Sequence, residues 1–346
     1  MPATHDLRLT SRDLQFLADL GEVTVLSGDV IHARYFSADT TGKSCLRRLR
    51  YLSQAGLVTP VAITACFGSL SEQQRVYRLT QRGADFLGQR TGESPRFLRT
   101  DPKPETLLHR VLVARVMLAM NDGAGAANLP KPLWLLEHDR WPDAPRDVPE
   151  PRQYRLAADF APIPLSPNRP AEQYGPPIYD DPAVKLVKAR PDAACLLQLP
   201  GETAPIALQF EVDNGTETHG QLLWKLPGYH ALLTRRAFAR PWRDLADAGP
   251  AAARVLFVFM SAERMQNVLD RLEAWPTALW QRTDGYQPTA QDNQRASAFL
   301  EQFVRYGTLS DLEASGSLTS PMWSTLRRRR DEERLAIIQS GGENGR

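Results

Sequence analysis

The chain has 346 residues, of which 42% are hydrophobic and 24% are charged, and its formal net charge at pH 7 is +2. This length suffices for two domains with ordinary cores, and the near-neutral charge excludes a polycation, so any nucleic-acid contact must use local basic patches. No run of about 18 apolar residues occurs, which predicts no membrane contact, and the first residues lack the apolar core of a secretory signal. Three isolated cysteines fit no zinc spacing and predict a reducing, cytoplasmic location.

Residues 1–91 carry the pattern of a winged helix-turn-helix domain. Apolar residues at helical spacing predict three helices, over about 11–20, 27–36 and 40–55. Two alternating stretches then predict a β-hairpin, the wing, and Thr80 begins a closing helix. In this fold the third helix contacts duplex DNA.

The third helix and the wing supply the basic residues that such a contact needs. Lys43, Arg47 and Arg50 fall on one side of the helix, where they can enter a major groove and contact guanine edges or phosphate. Arginines on the wing can reach adjacent phosphates. The predicted DNA-binding residues are Lys43, Ser44, Arg47, Arg48, Arg50, Arg75 and Arg78. The alternatives are a solvated basic face and a winged helix that contacts protein.

A second domain is predicted over 105–310, after a linker at 92–104. It begins with a strongly apolar helix and continues with short apolar strands. Uncharged strands are typical of a sheet covered on both faces, so the predicted class is α/β with a mixed central sheet. The predicted strands lie at about 133–137, 193–199, 205–212 and 254–260.

Two further segments of the chain have a distinct composition. Residues 141–183 are rich in proline and are interpreted as an insertion that folds over the site or binds a protein partner. A closing helix is predicted over about 291–306. Residues 311–346 are predicted to contain a C-terminal helix, over about 321–339, and a disordered tail.

Three carboxylates are predicted to meet where two strands of the second domain pair. Asp192 opens one strand, and Glu211 and Asp213 close the next, one residue apart and therefore on the same side. A hairpin brings Asp192 beside the other two, and crowded carboxylates repel one another. The usual remedy is a hard divalent cation held by oxygen ligands, so the three acids are candidate ligands of Mg2+ or Mn2+.

The helix predicted after the second strand adds Gln221, Lys225 and Tyr229, which are four residues apart and form one stripe. A lysine beside an acidic metal site suits phosphodiester cleavage, because the ammonium stabilises the developing negative charge. The candidate catalytic residues are Asp192, Glu211, Asp213 and Lys225, with Gln221 and Tyr229 in support. Alternatively, Lys225 neutralises the acids in a buried ion pair without metal, or the pattern arises by chance. A further basic cluster follows at Arg235, Arg236, Arg240 and Arg243.

This stretch resembles the PD-(D/E)XK nuclease superfamily. Pro191-Asp192 corresponds to its PD element and Glu211 to the acid of its second element. The superfamily has lysine two residues after that acid, where this chain has Asp213. Some members carry the lysine on the following helix, as Lys225 would here. The resemblance implies a restriction-endonuclease-like domain.

The N-terminal pattern and this stretch together resemble the replication-relaxation family of plasmid and mobile-element proteins. The second part rests on Glu-x-Asp-x-Gly-Thr at 211–216 and Lys-x3-Tyr at 225–229. The resemblance implies a winged helix followed by a nuclease-like region, with a role in plasmid replication and relaxation of plasmid DNA.

The resulting functional hypothesis is a protein that binds double-stranded DNA and nicks or cleaves it with a metal ion. The alternative is a non-catalytic DNA-binding regulator or replication accessory protein with a degenerate nuclease fold. A third hypothesis is a scaffold that recruits proteins through the proline-rich segment. A homodimer is left open.

Overall fold

The structure is a computed structural model that describes residues 8–63, 74–100, 102–142, 153–160, 186–274, 289–316, 318, 320, 322–327 and 335–337. The chain divides into two compact units, Met1–Leu118 and Ala119–Arg346. No helix within the described ranges is long and apolar enough to cross a membrane. The tip of the predicted wing and most of the proline-rich insertion lie outside the described residues.

The N-terminal unit contains the three helices, hairpin and fourth helix that the sequence predicts. A capping box between Thr10 and Asp13 begins the first helix, and Thr80 caps the fourth. The elements are α1 (Ser11–Val23), β1 (Leu26–Ser27), α2 (Gly28–Tyr35), α3 (Lys43–Gln54), β2 (Val58–Ile63), β3 (Gln74–Leu79) and α4 (Gln81–Thr91). The strands form an antiparallel sheet in the order β1-β3-β2.

A long helix, α5 (Pro104–Ala126), leads into the second unit. The strands that follow are β4 (Leu133–Leu136), β5 (Ala158–Phe160), β6 (Val187–Ala189), β7 (Ala193–Leu197), β8 (Ile206–Asp213), β9 (Ala252–Phe259) and β10 (Val304–Thr308). The helices are α6 (His219–Leu223), α7 (Leu226–Thr234), a 3-10 helix (Ala237–Trp242), α8 (Ala262–Ala274), α9 (Ala290–Phe303) and α10 (Leu309–Ser315).

The central sheet of this unit has the strand order β10-β9-β8-β7-β4. Strands β8, β9 and β10 run parallel, whereas β7 is antiparallel to both of its neighbours. Seven consecutive residues of β8 are buried, as expected for a strand covered on both faces. The predicted α/β class with a mixed central sheet is confirmed.

Two predicted helices differ from the structure. The helix predicted over 291–306 ends at Phe303, and the next five residues form β10, because the backbone there pairs in parallel with β9. The C-terminal helix predicted over 321–339 is absent from the described residues of that segment. Trp323 pairs with Leu335, and Ser324 pairs with Tyr306, in isolated antiparallel bridges. In both cases backbone N–H and C=O groups that would bond within a helix bond to a neighbouring extended segment instead.

Close packing of α7 on β6 requires a glycine at position 228, because a Cβ there would overlap the backbone carbonyl of Lys188. Gly228→Ala should therefore lower the free energy of unfolding by about 1 to 3 kcal/mol. Gly220→Ala in α6 is the control, since its Cβ would lie 3.9 Å from the nearest atom. Urea unfolding followed by circular dichroism measures both variants. Equal stability of the two would contradict the packing of α7.

Candidate functional site

The carboxyl end of β8 carries the two acids that the sequence singles out. The residues Glu211 and Asp213 are 1% and 2% exposed, so both are buried at the end of a central strand. Asp192 lies just before β7, and its Oδ2 accepts a hydrogen bond of 2.7 Å from the backbone amide of Val212. The predicted β7–β8 hairpin is confirmed, and it places Asp192 beside the strand that holds the other two acids.

Glu211 is the centre of a cluster with the two predicted residues Lys225 and Tyr229. Its Oε2 lies 2.7 Å from the ammonium of Lys225, and its Oε1 accepts a hydrogen bond from the hydroxyl of Tyr229. The same ammonium lies 3.0 Å from a carboxylate oxygen of Glu217. Both oxygens of Glu211 are therefore engaged by donors of the chain itself.

The environment of this cluster shifts the pKa of all three groups. Burial raises the pKa of Glu211 to about 7, an effect that Lys225 opposes and that the charge of Asp192 reinforces. Burial lowers the pKa of Lys225, but the charges of Glu211 and Asp192 outweigh it, and the pKa lies above its usual range. Burial and the Glu211 carboxylate raise the pKa of Tyr229 well above the ordinary value. At neutral pH Lys225 is thus a cation and Tyr229 a neutral donor.

Asp213 belongs to a second ion pair, with Arg264 at the start of α8. The guanidinium donates to both carboxylate oxygens, and its Nη2 lies 3.0 Å from Oδ1. The same Nη2 donates to the backbone carbonyl of Glu217. Arg264 and Glu217 were not predicted as site residues. No motif identifies Arg264, which lies 51 positions from its partner, and Glu217 is an ordinary acid next to the Gly-Thr pair.

The loop between β8 and α6 is shaped by the Asn-Gly-Thr part of the motif. Gly215 has a φ of +82°, in the region that favours glycine. The side chain of Asn214 accepts hydrogen bonds from the amide and the hydroxyl of Thr216, at 3.2 and 2.6 Å. These local bonds turn the chain from the end of β8 towards α6.

The predicted stripe of Gln221, Lys225 and Tyr229 on one continuous helix is wrong. Helix α6 ends at Leu223, and α7 begins at Leu226 with Pro227 in its first turn, where the missing amide hydrogen costs nothing. Gln221 is instead part of a capping box, in which its Oε1 accepts a 2.7 Å hydrogen bond from the amide of Thr218. Only Lys225 and Tyr229 reach Glu211.

The three predicted metal ligands do not form a ligand set in this arrangement. Glu211 is engaged by Lys225, and Asp213 is engaged by Arg264. Throughout the described part of the chain, no group of three His, Cys, Asp or Glu side chains is arranged to hold a metal ion. Mg2+ requires several oxygen ligands directed at one point, and a metal ion here would compete with Lys225 for Glu211 and with Arg264 for Asp213. A bound Mg2+ or Mn2+ therefore stays a prediction.

The basic residues predicted to bind DNA divide into two groups. Lys43, Ser44, Arg47, Arg50 and Arg75 are exposed. The other two have partners inside the N-terminal unit. Arg48 forms two hydrogen bonds to the buried Asp13, of 2.9 and 2.6 Å, and Arg78 donates to the carbonyl of Leu98 at 2.8 Å.

The chain is thus an α/β protein with an exposed basic helix in one unit and a buried acid–lysine–tyrosine cluster in the other. It belongs to the replication-relaxation family, whose family model matches residues 17–242. The matched span includes both α3 and the Glu211 cluster, and membership indicates a role in plasmid or mobile-element replication. Comparison with curated proteins and with solved structures gives no match.

The Glu211–Lys225 pair should be strongly coupled. At about pH 8, Lys225→Met should lower the free energy of unfolding by about 3 kcal/mol, because it leaves a buried carboxylate without its cation. Glu211→Gln/Lys225→Met removes both charges and should recover most of this loss. Urea unfolding of the wild type, the two single variants Glu211→Gln and Lys225→Met, and the double variant gives a double-mutant cycle. Lys188→Met, at an exposed position, is the control.

The pH dependence gives the same cycle a second test. The folded-state pKa of Glu211 lies above its ordinary value. The free energy of unfolding is therefore highest while this carboxyl is protonated, and it falls as the pH rises through about 7. At about pH 5 the penalty of Lys225→Met should therefore shrink. Additive losses in the cycle, or a penalty that does not depend on pH, would contradict the ion pair.

Proposed function

We propose that this protein binds duplex DNA through the exposed basic face of α3 and acts in replication without cutting the DNA. One observation carries the proposal: Lys43, Arg47 and Arg50 are exposed on α3, whereas Cys45, Leu49 and Leu52 of the same helix are buried. The helix contains no acidic residue that would offset these charges. Membership of a replication family supports DNA as the partner.

The geometry of α3 suits a contact in the major groove. The helix has 12 residues and is therefore about 18 Å long, with cations spaced along one side. Two contacts hold the helix in place: Arg48 is bonded to Asp13 of α1, and the amide of Cys45 in the first turn donates to Asp39 at 3.0 Å. A preorganised helix loses little conformational entropy on binding, which favours affinity. The preceding helices and the hairpin match the winged-helix order.

The Glu211 cluster is best explained as a structural element of the second unit. Its carboxylate is neutralised by Lys225 and Tyr229, and the neighbouring Asp213 by Arg264. Metal-dependent nicking by these acids would require them to exchange the two cations for a metal ion. Such cleavage stays a prediction, as do a homodimer and a protein partner for the proline-rich insertion.

Removing the exposed charges of α3 should weaken DNA binding. Arg47→Gln/Arg50→Gln should lower the affinity of the full chain for a labelled duplex by about tenfold or more, and reduce the slope of log K against log salt by about 2. Fluorescence anisotropy over a salt series measures both quantities.

The matched control is Arg82→Gln/Arg90→Gln, which removes the same charge from exposed positions on α4. Its affinity should stay close to that of the wild type. Equal losses in the two double variants, or no loss in either, would overturn the assignment of α3. Unchanged melting temperatures would confirm that the variants remain folded.

A further inference from the structure

The second unit carries a group of arginines around two aromatic rings, outside the Glu211 cluster. Arg140 pairs with Tyr154 in an antiparallel bridge, and the amide of Trp141 donates to the carbonyl of Gln153 at 3.0 Å. Backbone pairing thus places Trp141 and Tyr154 on one short ladder. The ladder gives both rings a fixed position.

Arg155 fastens this ladder to the turn that follows the 3-10 helix. Its side chain is buried and makes two hydrogen bonds to Asp244, of 2.6 and 2.8 Å. It also donates to the carbonyl of Pro241 at 3.1 Å. A bidentate arginine–carboxylate pair fixes geometry as well as contributing energy. The turn is therefore held against the ladder.

This arrangement brings four exposed arginines onto the two rings. The guanidinium carbons of Arg243 and Arg240 lie 4.8 and 5.6 Å from the ring centre of Trp141. Those of Arg190 and Arg140 lie 4.9 and 5.3 Å from the ring centre of Tyr154. We call Arg140, Arg190, Arg240 and Arg243 the arginine patch; all four are exposed.

The charge of the arginine patch is only partly compensated, in contrast to that of the Glu211 cluster. Asp244 is bonded to Arg155 and also interacts electrostatically with the neighbouring Arg243, and Arg190 lies 4.0 Å from a carboxylate oxygen of Glu137. Among the described residues, no carboxylate lies at ion-pair distance from Arg240 or Arg243. A basic surface of this kind attracts a polyanion.

We propose that the arginine patch is a second DNA contact, which binds phosphates of the DNA backbone. A guanidinium stacked on a ring keeps its N–H edge directed outwards, and this edge matches the oxygens of a phosphate in a bidentate contact. The contact supplies affinity without reading sequence. The inference rests on the proposed function, because it assumes that the chain binds DNA.

The test compares double variants of the full chain by fluorescence anisotropy, with a labelled duplex and a salt series. Arg240→Gln/Arg243→Gln should weaken binding by about tenfold and reduce the salt slope by about 2. Arg240→Lys/Arg243→Lys should keep the salt slope but still lose affinity, because lysine keeps the charge without the stacked fork. The control is Arg271→Gln/Arg327→Gln, at exposed positions of the same unit.

The outcomes separate this inference from the proposal for α3. Loss in the patch variant with a near-wild-type control supports the second contact, whatever the α3 variant does. If the Arg240→Gln/Arg243→Gln variant binds DNA like the wild type, or like the control variant, the second contact is overturned. The proposal for α3 is not affected by that result. A wild-type chain that binds no duplex overturns both proposals.

Discussion

The structure of the second unit depends on the burial of one carboxylate, that of Glu211, at the end of a central strand. A charged group in this position is costly unless it is paired and hydrogen-bonded. The chain satisfies it with Lys225 and Tyr229, and the interruption between α6 and α7, at residues 224–225, accompanies the turn that brings both residues to it. Within the two motifs, Glu211, Lys225 and Tyr229 form this buried site, Asp213 pairs with Arg264, and Gly215 and Thr216 shape the loop that follows β8.

The chain uses charge in two opposite ways. Glu211 and Asp213, at the end of β8, each have a cation of the chain at hydrogen-bond distance, which offsets their negative charge. On α3 and on the arginine patch the guanidinium groups are exposed, and few acids of the described residues approach them. The buried charges of the second unit are therefore neutralised within the fold, and the binding that we propose uses exposed positive charge at the surface of each unit.

Local sequence patterns predicted the helix face and the hairpin, whereas contacts between residues distant in sequence were not predicted. The face of α3 and the β7–β8 hairpin follow from helical and strand periodicity, and Lys225 and Tyr229 follow from their spacing. Arg264 could not be predicted, because only the tertiary fold brings it to Asp213. Likewise, the helix predicted over 291–306 was too long at its end, because residues 304–308 pair with β9, which is distant in sequence. Gln221 had the right spacing for the site, but the interruption between α6 and α7 places it on a different helix from Tyr229.

The central claim is that the acids of the second unit stabilise the fold and do not cut DNA. The most direct test incubates the full chain with supercoiled plasmid and Mg2+ or Mn2+, beside Glu211→Gln and Asp192→Asn. The account predicts plasmid that is bound but covalently intact after deproteinisation, for the wild type and both variants. Nicked or linear product that requires the metal and disappears in both variants would contradict it.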